Sequence, residues 1–240
     1  MKIKSNSSNK AFTLIELSIV LIIISLIVGG VVSGKSLIRS AELKTVISEY
    51  NTYLTAYNNF LLQYDDIPGD MVNASEYWPG VAVDGNGNRK IAYINGEEGL
   101  NAWHHLSLAG LVNGNYVGGD GGYNWSYVTG ITIPASKKKG KGWVIVDTGV
   151  LHGKQGNAIG FMSPTLWPGG GPNYYPWGPA LITRDAVSID KKMDDGDPRD
   201  GRLYLGNGPS QWNPTCLNNT TGVLTLTNTN DGCGLVFWLD

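Results

Sequence analysis

Residues 17–32, LSIVLIIISLIVGGVV, carry no charge, and with Phe12, Leu14 and Ile15 they form an apolar run of about 20 residues, the length that crosses a bilayer as a helix. Lys2, Lys4 and Lys10 precede the run, which favours a cytoplasmic N-terminus and an exported remainder. Lys35 and Arg39 lie on the far side. A conventional secretory signal has a shorter apolar core followed by a small-residue cleavage site. One acid, Glu16, stands inside the run. A charge at the centre of a membrane helix costs about 2.5–3.5 kcal/mol on insertion scales, so Glu16 either snorkels to the interface or has a partner.

Beyond the apolar block the pattern becomes amphipathic, with no proline until Pro68. Leu43, Ile47, Tyr50, Leu54, Tyr57, Leu61 and Tyr64 recur at spacings of three and four, which predicts one helical face packed on a head. A helix over 12–64 would be about 80 Å long at 1.5 Å per residue, more than a membrane needs. Pro68 and Gly69 end it. Gly29, Gly30 and Gly34 fall inside this helix, where small residues permit close packing of helices.

In the remainder the pattern predicts a helix over 97–111 and a second over 183–193. Strands are expected at 127–133, 141–149, 202–206, 223–229 and 235–239. The fold class is therefore α+β: a long N-terminal helix, transmembrane in its first half and amphipathic in its second, laid on an antiparallel β-sheet head. No repeat or low-complexity linker marks off a second soluble domain, and 240 residues suit a membrane segment plus one head.

The 33 glycines, 8 tryptophans and 12 tyrosines describe a loop-rich globular head too aromatic for disorder. The net charge of −2 gives nucleic-acid binding no support. Cys216 and Cys233 are the two cysteines of the chain. In an exported domain they are expected to form one disulfide, with two buried thiols as the alternative.

The string KAFTLIELSIVL (10–21) resembles the processing site of type IV pilins and of the related pseudopilins of type II secretion. The resemblance covers about the first fifth of the chain. It implies a basic leader, 1–11, removed by a prepilin peptidase between Ala11 and Phe12, with Phe12 then N-methylated. The family usually has Gly where this chain has Ala11. Assembly residues would be Phe12 and Glu16, the carboxylate of one subunit pairing with the new amine of a neighbour. Without the leader, loss of Lys2, Lys4 and Lys10 leaves 15 basic against 20 acidic residues, or −5. The implied organisation is leader 1–11, transmembrane and filament-core helix 12–34, amphipathic helix 35–66 and head 67–240. The implied partners are copies of the chain in a helical filament or other pilins, the peptidase/methyltransferase and an inner-membrane assembly platform. The implied location is the bacterial inner membrane, single-pass, then a periplasmic or extracellular filament.

Two acidic loops carry candidate calcium ligands. In DGNGNRKI (84–91), Asp84, Asn86 and Asn88 alternate and the Lys90 carbonyl follows, as the oxygens of an EF-hand-type loop do. Arg89 replaces the usual glycine and Asn95 the bidentate Glu, a role left to Glu97 or Glu98. The second loop, MDDGDPRDG (193–201), holds Asp194, Asp195, Asp197 and Asp200, whose mutual repulsion is relieved by water or by a cation. The competing readings are a metal-free Gly/Asn turn and a solvated acidic loop. Trp167, Tyr174, Tyr175 and Trp177 cluster among Gly and Pro; they either cap the sheet or present rings to a sugar or partner. That second option supports a rival function, a membrane-anchored binding module. His104, His105 and His152 lack metalloprotease spacing, and no nucleophile elbow, P-loop or dinucleotide fingerprint occurs, so no enzyme is expected.

Overall fold

The computed structural model describes residues 12–92, 98–119, 126–147, 154–166, 174–206, 216–217, 223–227 and 229–239, without the side chains of 165–166 and 174–177. Two compact units divide at Glu42/Leu43, and helix α1 (Leu14–Tyr64) contributes to both. In the first unit α1 is apolar and exposed: its membrane-length window contains no buried residue. Ser18 and Ser25 turn their hydroxyls back onto the carbonyls of Leu14 and Leu21, at 2.8 and 2.7 Å, which removes polar groups from that surface.

In the second unit α1 buries Leu43, Val46, Tyr50, Ala56, Tyr57 and Phe60, with Ile47, Tyr53, Leu54, Leu61 and Tyr64 packed at the margin. The buried stripe is rotated from the one the large apolar residues predict: Val46 and Phe60 lie at its centre, fully buried, and Leu61 and Tyr64 on its flank. The short helix α2 (Ala74–Tyr77), α3 (Glu98–Leu108) and α4 (Thr183–Met193) complete the helices described.

Strands β1 (Gly142–Asp147), β2 (Asn157–Leu166), β4 (Leu203–Gly206) and β5 (Gly234–Trp238) form an antiparallel sheet in the order β1-β2-β5-β4, and β3 (Tyr174–Gly178) pairs with the far end of β2. The register sets Trp143 opposite Phe161 and Phe161 opposite Leu235, with Ile159 and Leu203 opposite Phe237. Directly paired residues share a face. That face receives α1: Tyr50 stacks on Phe237 with ring centroids 3.9 Å apart, and Tyr53 meets Trp143 at 5.5 Å. The opposite face is also buried, through Val144, Val146, Ala158 and Val236, so β1 and β5 read as continuous apolar runs instead of alternating ones.

Among the described residues two expected strands do not form. Over 127–133 the chain folds on itself: the Val128 N–H donates to Thr132 Oγ1 (2.8 Å) and Gly130, at φ 81°, donates to the Ile133 carbonyl (2.7 Å). Only a single bridge, Thr129 to Ile133, remains. In 223–229, Leu224 bridges Leu217 while Val223 and Leu226 are exposed, so the alternation there has no buried face to serve. Conversely, β2 and β3 escape the strand pattern because each contains a proline. Pro164 sits at the register shift between Ser163 and Thr165, and Pro176 lies in an edge strand paired only with β2, the positions a sheet tolerates. Cys216 and Cys233 form the disulfide.

Glu49 fixes the helix on the sheet. Its carboxylate accepts hydrogen bonds from Ser136 Oγ (2.6 Å), the Lys137 N–H (2.9 Å) and the indole Nε1–H of Trp143 (2.9 Å). Glu49→Ala strips the acceptor from all three, and stability measured by denaturant unfolding of the detergent-solubilised chain is expected to fall by about 2–4 kcal/mol. Leu62→Ala on the exposed side of the same helix should change it by less than ~0.5 kcal/mol. A Glu49→Ala loss no larger than that control would contradict the anchor.

Candidate functional site

At the N-terminal end of α1, Thr13 and Glu16 satisfy one another. The Thr13 N–H and Oγ1–H both donate to Glu16 Oε2, each at 2.8 Å, and the Glu16 N–H returns to Thr13 Oγ1 at 3.3 Å. This is a capping box, which pairs two of the N–H groups that a helix start leaves unbonded. The spacing Thr-x-x-Glu announces it in the sequence; Glu16 was singled out there for its charge, and Thr13 was missed. The box turns the carboxylate back toward the start of the helix, where a negative charge is favoured by the macrodipole and where Phe12 stands exposed. Ala11 lies outside the described residues.

A family model described as the prokaryotic N-terminal methylation motif matches residues 6–32. The chain carries the cleavage signal of type IV pilin and pseudopilin precursors. No curated protein and no solved structure matches the chain. The methylation motif spans the Ala11–Phe12 junction, Thr13, Glu16 and the whole of the apolar block through residue 32, and it implies processing by a prepilin peptidase. With the long exposed apolar helix it fits a membrane-anchored protein.

In the head, the 84–91 loop closes around a carboxylate. Asp70, buried, accepts the N–H groups of Gly87 (2.8 Å), Asn88 (3.3 Å) and Arg89 (2.5 Å). The close approach needs glycine at 85, since a Cβ there would lie 2.2 Å from the Asp70 carbonyl carbon. Four of the side chains expected to hold calcium carry hydrogen bonds of their own. Asp84 accepts the N–H and hydroxyl of Ser75 (2.7 and 2.9 Å), which hold its carboxyl below the usual range. Asn86 and Asn88 side-chain oxygens accept the N–H groups of Asn88 and Lys90 (3.0 and 2.8 Å). Glu98 accepts the Ala92 N–H (2.9 Å) and the Asn86 side-chain amide, and burial pushes its carboxyl up. N–H groups converging on an acid are the polarity of an anion nest. Glu97 lies outside the described residues.

The second acidic loop divides. Asp197 accepts the Arg199 N–H (3.1 Å), and Asp200 pairs with Lys154 (3.2 Å). Asp194 and Asp195 instead meet Asp190, one helical turn back on α4: one carboxylate oxygen from each lies within 4.8 Å of the others. Asp190 is fully buried and neither of its carboxylate oxygens has a hydrogen-bond partner among the described residues. Burial first, then the charges of Asp194, Asp195 and Asp197, push its carboxyl up to about 6. The sequence reading missed Asp190, although its i, i+4 spacing from Asp194 was legible. Tyr174 and Tyr175 pair with β2 through their backbone; Trp167 and the side chains of Tyr174, Tyr175 and Trp177 lie outside the described residues.

His105 joins the turn after α1 to α3. The Gly69 N–H donates to its Nδ1 (3.0 Å) and its Nε2–H donates to the Val83 carbonyl (3.0 Å), an arrangement that requires the neutral ring. Burial lowers its pKa from 6.5 to about 4. The folded state therefore refuses a proton that the unfolded chain accepts, so the His105 contribution is complete above pH 6.5 and is lost as pH falls toward 4. The shift corresponds to roughly 3 kcal/mol. The stability difference between the parent chain and His105→Gln is expected to shrink by about that amount over this interval, read by unfolding at stepped pH; a difference constant with pH would contradict it.

Proposed function

We propose that the chain is a structural subunit of a type IV pilus-like or type II secretion filament. It is cut between Ala11 and Phe12, methylated on Phe12, and assembled by packing its apolar helix against those of other subunits. The observation that carries this reading is the methylation motif lying on an apolar helix whose membrane-length window is wholly uncovered within the chain. Its role is structural and not catalytic. The lysines before the apolar run orient the precursor with its N-terminus in the cytoplasm, and the filament forms on an inner-membrane platform.

Two further features support the reading. A Cβ built on Gly29, Gly30 or Gly34 meets nothing within 4 Å, yet each glycine costs a helix interior up to about 1 kcal/mol relative to Ala. Close packing against neighbouring helices gives those positions a use. Cleavage also creates an amine on Phe12, one residue from Thr13 whose N–H and hydroxyl Glu16 now binds. In the filament Glu16 exchanges part of that cap for the Phe12 amine of a neighbour. Breaking such a pair in a low-dielectric core costs about 3–5 kcal/mol, enough to select one axial register.

The intact mass of the mature protein is expected to show loss of residues 1–11 and gain of one methyl group; an uncut, unmethylated chain would overturn the proposal in favour of a membrane-anchored module. Gln serves a capping box as Glu does but carries no charge. Glu16→Gln should therefore insert and be processed, yet yield at least tenfold fewer sheared filaments, and Glu16→Ala should fail equally. Normal filaments from the Gln variant would reduce Glu16 to a helix cap.

A further inference from the structure

We propose that Asp190, Asp194 and Asp195 bind a calcium ion at the C-terminal end of α4. The amphipathic helix buries Thr183, Ala186, Ile189 and Asp190, so a carboxylate occupies a position its neighbours fill with apolar or small groups. Both Asp190 oxygens are inaccessible and unpartnered among the described residues. A buried charge without a hydrogen-bond donor is strongly disfavoured, and here two more acids lie beside it, with Lys191 as an attracting charge. Their position makes matters worse: the carbonyl end of a helix is the negative end of its macrodipole, and Asp194 is the C-cap, its N–H bound to the Asp190 carbonyl at 2.7 Å. The nearby ammonium of Lys154 is engaged by Asp200 and by the Gly201 carbonyl (2.6 Å). A cation at this point reverses each of these penalties together.

The geometry suits one. Three oxygens within 4.8 Å of one another share a centre no more than about 2.8 Å from each, so a shift of a few tenths of an ångström brings all three to the calcium–oxygen distance of about 2.3–2.6 Å. Two of the ligands are already held in place. Asp194 Oδ2 accepts the N–H groups of Arg202 and Leu203 (2.5 and 2.8 Å), and Gly201, at φ 72°, admits that carboxylate where a Cβ would stand 2.0 Å from it. Asp195 Oδ1 accepts the Asp197 N–H (2.7 Å). In each, the other carboxylate oxygen takes no part in these bonds. Burial grades from Asp190, enclosed, through Asp194 to Asp195, exposed, which gives the ion a way in and leaves room for water to complete its shell. All-oxygen ligation selects a hard cation, and an irregular protein-supplied set favours calcium over magnesium, which retains most of its water and demands an octahedron.

This site is independent of the filament reading. The test uses the full-length chain in detergent, freed of metal by chelator and titrated with calcium chloride or magnesium chloride, followed by calorimetry and thermal unfolding. One calcium per chain is expected, with a melting temperature that climbs with calcium concentration as linkage requires. Asp190→Asn, which keeps the shape and removes the buried charge, and the exposed Asp195→Asn should each weaken binding at least tenfold while remaining folded. No binding at millimolar calcium, an equal response to magnesium, or an undiminished calcium response in Asp190→Asn would overturn the assignment.

Discussion

The rest of the molecule is organised around apolar side chains that the chain itself never covers. Leu14, Leu26, Leu37 and Ile38 are among the most exposed of a run of large aliphatic residues in the first part of α1. Each aliphatic side chain left in water forgoes about 1.5–3 kcal/mol, and over such a run the sum exceeds the whole stability of an ordinary domain. An apolar surrounding such as lipid would remove the deficit. Helix is then imposed as well, since hydrocarbon offers no partners for an open backbone. The details agree with that demand: Ser18 and Ser25 bond their own helix, and Glu16 is bound by Thr13 at the helix start, so these three side chains find partners within the helix.

Past Glu42 the same helix obeys another rule. Its buried face is aromatic, and flat rings slide easily over a sheet unless something fixes the register. Glu49 does so through three donors drawn from the segment before β1 and from β1 itself. The turn that ends α1 repeats the device, with the Asp70 carboxylate held by three backbone N–H groups and His105 linking two separate stretches of backbone. Acids in this head are thus placed where donors meet them. Asp190 departs from that practice, and the departure separates it from the other buried acids more sharply than its sequence neighbourhood does.

What was legible in the sequence follows which forces act locally. The apolar run, the cleavage motif, the stop at Pro68 and Gly69, and helices α3 and α4 depend on short-range pattern and were readable to within a few residues. The axis of the α1 stripe was not, because Val46 and Ala56 are too small to stand out and the fit of Phe60 is decided by the surface it meets. Strands β2 and β3 were hidden by Gly160, which weakens a strand pattern, and by Pro164 and Pro176, which a sheet admits only at a bulge or an edge; neither location exists until the neighbouring strand is placed. The candidate cation site shows the same limit. The counting of acids from 194 to 200 captured two of its members, but the removal of Asp200 by Lys154, 46 residues away, and the burial of Asp190 are tertiary facts.

The region around α4 is closed into a circuit by these placements. Just before α4, Leu181 exchanges backbone hydrogen bonds with Cys233 (2.9 Å each way), and Cys233 both enters β5 and carries the disulfide to Cys216. At the other end of α4, Asp194 grips the first residue of β4 through the Leu203 N–H, and β4 pairs with β5 from Leu203 opposite Phe237 to Gly206 opposite Gly234. The helix is therefore tied to the paired strands β4 and β5 at both termini, once by backbone beside a covalent bond and once through an acidic cluster. A loop-rich segment gains order chiefly by such closures, because each one removes chain freedom that a small apolar core cannot offset. The acidic end is the weaker of the two ties as long as its three carboxylates repel one another, and a bound cation would make the two ends comparable.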